Sequence, residues 1–133
     1  MGLLERLRRK PKTKAQIESA RSVTELEQFC GDDKETYEAL IDAMFLDPRK
    51  IGASMKGAAE NAKKFQKDKD FTRAALWYRI AGGLAIYEGN AKKVAEYFSE
   101  CEKITPDKKY LILKNPEKAV AKAKEYYGQY LKA

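Results

Sequence analysis

Apolar residues recur along this chain at spacings of three and four, the rhythm of one helical face. Ile51, Met55, Ala58, Ala62 and Phe65 follow it, with Lys56, Lys63, Lys64 and Lys67 on the other side, which predicts an amphipathic helix over residues 48–68. Tyr37, Leu40, Ile41, Met44 and Phe45 predict a helix over 33–46. Ala91, Val94, Phe98, Cys101 and Ile104 predict another, and Ala119, Val120, Ala123, Tyr127, Tyr130 and Leu131 a last one. Nearer the start, Ile17, Ala20, Val23, Leu26, Phe29 and Cys30 continue the pattern. No stretch alternates strongly enough for a strand; residues 110–113 (YLIL) are ambiguous and are assigned a short helix. The expected class is all-α, with about six helices and a short seventh.

Polar residues punctuate this pattern. Thr13 and Gln16 have capping-box spacing, and Ser22 or Thr24 can restart a helix with Glu25 or Glu27 three residues on. Gly31 is a natural stop, after which Asp32 is expected to cap the next helix with Glu35 at the reciprocal position. Asp47-Pro48 and Asn115-Pro116 each combine a capping side chain with a proline suited to the first helical turn. Thr105-Pro106 ends the helix before it.

Residues 71–88 are unusual because they are apolar nearly all round. On a helical wheel one arc collects Ala74, Ala75, Ala81, Gly82 and Ala85, with Phe71 and Tyr78 at intervals. The opposite arc collects Leu76, Trp77, Ile80, Leu84 and Tyr87. A helix with two apolar sides has neighbours on both. The small arc predicts close approach, and the bulky arc is expected to fill a core. Each glycine costs about 0.8–1 kcal/mol relative to alanine inside a helix, so Gly82 and Gly83 imply a compensating contact.

Residues 73–106 resemble the tetratricopeptide repeat. Its pattern W-x2-L-G-x2-Y, A-x3-F, P is approximated by Tyr78-x2-Ala81-Gly82-x2-Ala85, Val94-x3-Phe98 and Pro106. Ala81, Ala85 and Val94 depart from it. A competing register takes residues 48–68 as a first helix, with Ala58, Ala62 and Phe65 at the packing positions, and Ala74-x3-Tyr78 in the second. That register is preferred, and it gives hairpins over 14–46, 48–88 and 91–131. The resemblance implies a short array of stacked hairpins over residues 13–133; the alternative is a compact antiparallel helical bundle. It also implies a concave groove lined by first helices, on which Lys56, Asn61, Lys63, Lys64, Lys92 and Lys93 would meet a partner. Ala59 and Lys63 stand where the family's Lys and Asn pair is expected, so a clamp for a terminal carboxylate is not supported.

Charge is distributed in blocks. The net charge of +7 resolves into +5 over residues 1–14, −7 over 15–48, +4 over 49–70, +1 over 71–104 and +4 over 105–133. Residues 1–12 form a basic arm, with Leu3, Leu4 and Leu7 on one face and Arg6, Arg8, Arg9 and Lys10 behind. Weak membrane-surface contact through residues 1–10 is compatible with it. MGLLERLRRK lacks the continuous apolar core of a secretory signal, and no run is long enough to cross a membrane, so a cytoplasmic location is expected.

The chain has no histidine and two widely separated cysteines, Cys30 and Cys101, which removes the usual triads and the commonest metal ligand. No Gly-rich phosphate loop is present, because Gly82-Gly83 lies inside a helix. No catalytic, metal or cofactor role is therefore expected. The leading reading is a non-catalytic scaffold or adaptor whose basic groove takes another protein or an acidic peptide. The alternative is an RNA-binding accessory protein, using the arm, Lys108, Lys109, Lys118 and Lys122, with Tyr126, Tyr127 and Tyr130 stacking on bases.

Overall fold

The computed structural model describes residues 25–131, and these are all-α, with no strand among them. The basic arm with Arg6, Arg8, Arg9 and Lys10, and the capping signals at Thr13, Gln16, Ser22 and Thr24, lie outside the described residues. Among the described residues, 25–30 are helical and are called α1. It is followed by α2 (Lys34–Ile41), a 3-10 turn at Pro48–Lys50, α3 (Met55–Lys67), α4 (Phe71–Tyr87), α5 (Ala91–Ile104), a second 3-10 turn at Leu111–Lys114, and α6 (Pro116–Tyr130). No described helix is long and apolar enough to cross a membrane.

Caps set most of the boundaries. Gly31 ends α1 with φ of 59°, a left-handed conformation open to glycine without a Cβ penalty. Asp33, one residue later than expected, caps α2: its carboxylate accepts from Thr36 N–H at 3.1 Å and from the Thr36 hydroxyl at 2.7 Å. The expected helix over 48–68 is divided. Asp47 and Pro48 start only a 3-10 turn, and Ser54 begins the helix proper by accepting from Gly57 N–H at 3.0 Å. The helix expected over 33–46 ends at Ile41, and residues 110–113 contribute to a 3-10 turn in place of a short helix.

α4 is the central element. It packs against both α3 and α5, and touches α6 and the first 3-10 turn. Ala74, Ala81 and Ala85 are fully buried, so the small arc is indeed the buried one. A Cβ on Gly82 would stand 2.6 Å from Phe98 Cε2 and 2.8 Å from Cζ, and one on Gly83 would stand 2.6 Å from Phe45 Cδ2. The glycines therefore admit two aromatic rings, one from α5 and one from the segment after α2. The bulky arc fills the core only in part: Leu84 is buried in it, and Trp77 and Ile80 pack against it. Leu76 is 53% exposed and Tyr87 43%, while Trp77 and Ile80 are half-buried. The small residues let rings approach the helix closely, and Leu76 and Tyr87 are left facing outward.

The two ends of the described chain close on each other. The main contacts of α2 are with α6 and the second 3-10 turn. Phe29 of α1 meets Tyr126 edge-on at 5.9 Å, and Lys122 Nζ lies 4.5 Å over the Phe29 ring. The Tyr127 hydroxyl donates to the Phe45 carbonyl, joining α6 to the segment that covers Gly83. Leu26, Leu40, Ile86, Val94, Phe98, Ile112 and Tyr126 are the large side chains sealed inside. Full burial of such aliphatic and Phe side chains contributes about 1.5–3 kcal/mol each.

Candidate partner-binding groove

α3 and α5 both pack against α4, and a groove of about 360 Å³ lies between them. Ser54 and Asn90 cap its two walls, Asn90 Oδ1 accepting from Lys93 N–H at 3.1 Å. Tyr78 of α4 fixes the geometry from behind. Its hydroxyl donates to Gln66 Oε1 of α3 at 2.8 Å, and its ring stacks on Tyr97 of α5 at 6.4 Å.

The groove is lined by Met55, Lys56, Ala59, Glu60, Lys63, Lys93 and Tyr97. Three of the six residues expected at a partner site, Lys56, Lys63 and Lys93, thus come together from two helices. The other three do not line it: Lys64 and Lys92 are exposed elsewhere on the same helices, and Asn61 is half-buried. Ala59 and Tyr97 are buried and supply an apolar floor.

The lysines are not equivalent. Lys93 Nζ is 3.0 Å from a Glu96 carboxylate oxygen and 5.7 Å from the Tyr97 ring centroid. The Glu96 hydrogen bond, followed by Tyr97, raises the Lys93 pKa above its ordinary value. Burial raises that of Tyr97, with Lys93 opposing. Lys56 and Lys63 are exposed, and neither has an ion-pair partner among the described residues. The free positive charge of the groove is therefore on the α3 wall.

Tyr97, Met55 and Glu60 were missed as site residues. The spacing of Lys93 to Tyr97, i to i+4, and of Lys56, Glu60 and Lys63, i, i+4 and i+7, places each set on one helical face. That spacing was the available signal.

Three of the four lysines that the RNA reading takes from beyond the arm, Lys108, Lys118 and Lys122, have acidic neighbours, and Lys109 has no ion pair among the described residues. Lys118 Nζ is 3.1 Å from Asp33 and Lys108 Nζ 3.5 Å from Asp42, pairing the basic end of the chain with the acidic block. Lys122 is 3.6 Å from Glu125. Tyr126 and Tyr127 are buried in the aromatic contacts of α6, which removes them as stacking platforms, and Tyr130 is 37% exposed. Cys30 and Cys101 are free and buried, and burial pushes the Cys101 thiol up to about 12.

These features define an all-α protein with an apolar-floored groove whose free positive charge lies on one wall. Comparison of the chain with protein-family models, curated proteins and solved structures gives no match.

Proposed function

We propose that this protein is a non-catalytic protein-interaction module, and that the groove between α3 and α5 binds an acidic segment of another protein. One observation carries the reading: Lys56 and Lys63, without ion-pair partners among the described residues, and Lys93 from the facing helix border one apolar floor. Apolar contact supplies affinity in such a site, and charge complementarity supplies orientation and association rate. The tetratricopeptide-like pattern agrees with it, because a groove lined by the first helices of successive hairpins is what that resemblance implies. Overall charge of +7 favours the approach of an acidic partner.

The test is fluorescence anisotropy of a labelled, glutamate-rich helical peptide at low salt. Lys56→Glu and Lys63→Glu should each weaken binding, whereas Lys64→Glu and Lys92→Glu, outside the groove, should weaken it far less. Equal losses in all four variants would replace the groove with diffuse attraction to a positive surface.

A further inference from the structure

The α3 wall carries charges in the order plus, minus, plus. Lys56, Glu60 and Lys63 sit at i, i+4 and i+7 on one face, all exposed and all lining the groove. Glu60 is paired with neither lysine among the described residues, although i,i+3 and i,i+4 neighbours on a helix can meet. The opposite wall adds little net charge, because Glu96 neutralises Lys93, and it presents the Tyr97 ring. A uniformly acidic segment would satisfy the two lysines but set a carboxylate against Glu60. The groove thus contains both an attraction and a built-in repulsion, the two elements from which specificity is made.

Resting on the function proposed above, we infer that the groove selects a helical acidic segment by charge order. Such a segment carries carboxylates seven residues apart and an uncharged apolar residue midway between them. Lys56 and Lys63 are separated by about 10.5 Å of helical rise. Carboxylates at i and i+7 of a partner helix have the same separation. An apolar residue at i+3 or i+4 of that helix falls on the same side. It then lies opposite Ala59 and Tyr97, where apolar contact is available and a third carboxylate would meet Glu60.

Two labelled 15-residue helical peptides test this. Both carry the same composition, two glutamates and one leucine on one face. One has the glutamates seven residues apart with the leucine between; the other has a glutamate at the central position and the leucine at one end. Anisotropy at low ionic strength should show the end-charged peptide binding about threefold to tenfold more tightly, the size of one or two exposed ion-pair effects. Glu60→Lys should abolish or reverse that preference while keeping the helical circular dichroism of the parent. Equal affinity of the two peptides for the parent would overturn charge-order selection and leave the basic groove standing. Failure of both to bind would overturn the groove itself. A single-stranded RNA oligonucleotide that displaces the end-charged peptide at equal concentration would also overturn a protein-segment occupant. A preference for the end-charged peptide that survives Glu60→Lys unchanged would refute the role of Glu60.

Discussion

Alanine at position 82 should destabilise this fold, although alanine is the better helix former. Gly82→Ala in an unconstrained helix interior gains about 0.8–1 kcal/mol. Here the new methyl would lie 2.6, 2.8 and 2.9 Å from three atoms of the Phe98 ring. Phe98 is fully buried, so its ring has no solvent-facing rotamer to move into without disturbing α5. Overpacking of this sort costs about 1–3 kcal/mol. The net expectation is a loss of up to about 2 kcal/mol, and a larger loss for Gly82→Leu. Gly128→Ala is the internal control. Gly128 lies near the end of α6 with nothing within 4 Å of an added Cβ, so that change should stabilise, by at most the intrinsic gain of about 0.8–1 kcal/mol. Thermal and urea unfolding followed by circular dichroism would read both, with about 3–5 °C per kcal/mol expected at this chain length. Phe98→Leu placed together with Gly82→Ala should cost less than the two single changes added, because the collision is removed. If Gly82→Ala melts above the parent, as Gly128→Ala should, the close approach of Phe98 to α4 is wrong, and so is the central place given to that helix.

Other outcomes follow from the same geometry. Tyr127→Phe leaves the Phe45 carbonyl without its partner and should cost about 1–3 kcal/mol in urea unfolding. Ser54→Ala removes the cap of α3 and should cost about 0.5–2 kcal/mol, with helix loss detectable by hydrogen exchange in residues 55–58. Asp33 has its carboxyl held down at about 2, chiefly by the Thr36 hydroxyl and amide and then by Lys118. A depressed folded-state pKa gives stability that is present above the unfolded value and lost as pH falls through the folded one. Asp33→Asn should therefore flatten the melting-temperature profile between about pH 4 and about pH 2, and an unchanged profile would refute the assignment. Cys101, with its thiol raised to about 12 by burial, should resist iodoacetamide in the folded protein and react only on unfolding, as read by mass spectrometry.

Local signals account for much of this fold. α5 begins and ends where Asn90 and Thr105-Pro106 place its limits, and α6 starts at the proline after Asn115. Gly31 ends its helix as its position suggests. Elsewhere two local signals competed. Asp47-Pro48 looks like a helix start, yet the chain takes one 3-10 turn there, and α3 begins only after Ser54, whose hydroxyl supplies the cap. The wheel of α4 separates small from large residues but does not say which side chains of each arc are sealed and which stay exposed. That depends on the Phe98 and Phe45 rings, which come from other parts of the chain.

The groove was legible in a similar, incomplete way. Lys56, Lys63 and Lys93 could be placed on helical faces from spacing alone. Which of those faces meet across α4 is a tertiary fact, and it separates them from Lys64, Lys92 and Asn61. Tyr97 is buried because the inward face of α5 is wider than one stripe, so a residue between the expected core positions joins both the core and the groove floor.

The proposed function requires an acidic partner to sit in the groove between α3 and α5. Titrating the isotope-labelled protein with the end-charged peptide, and following amide chemical shifts by NMR, reads this position by position. The largest shifts are expected at Met55 to Lys63 and at Lys93 to Tyr97, the two walls of the groove. Shifts centred on Lys114 to Lys124, or spread evenly over the lysine-bearing surface, would contradict that placement.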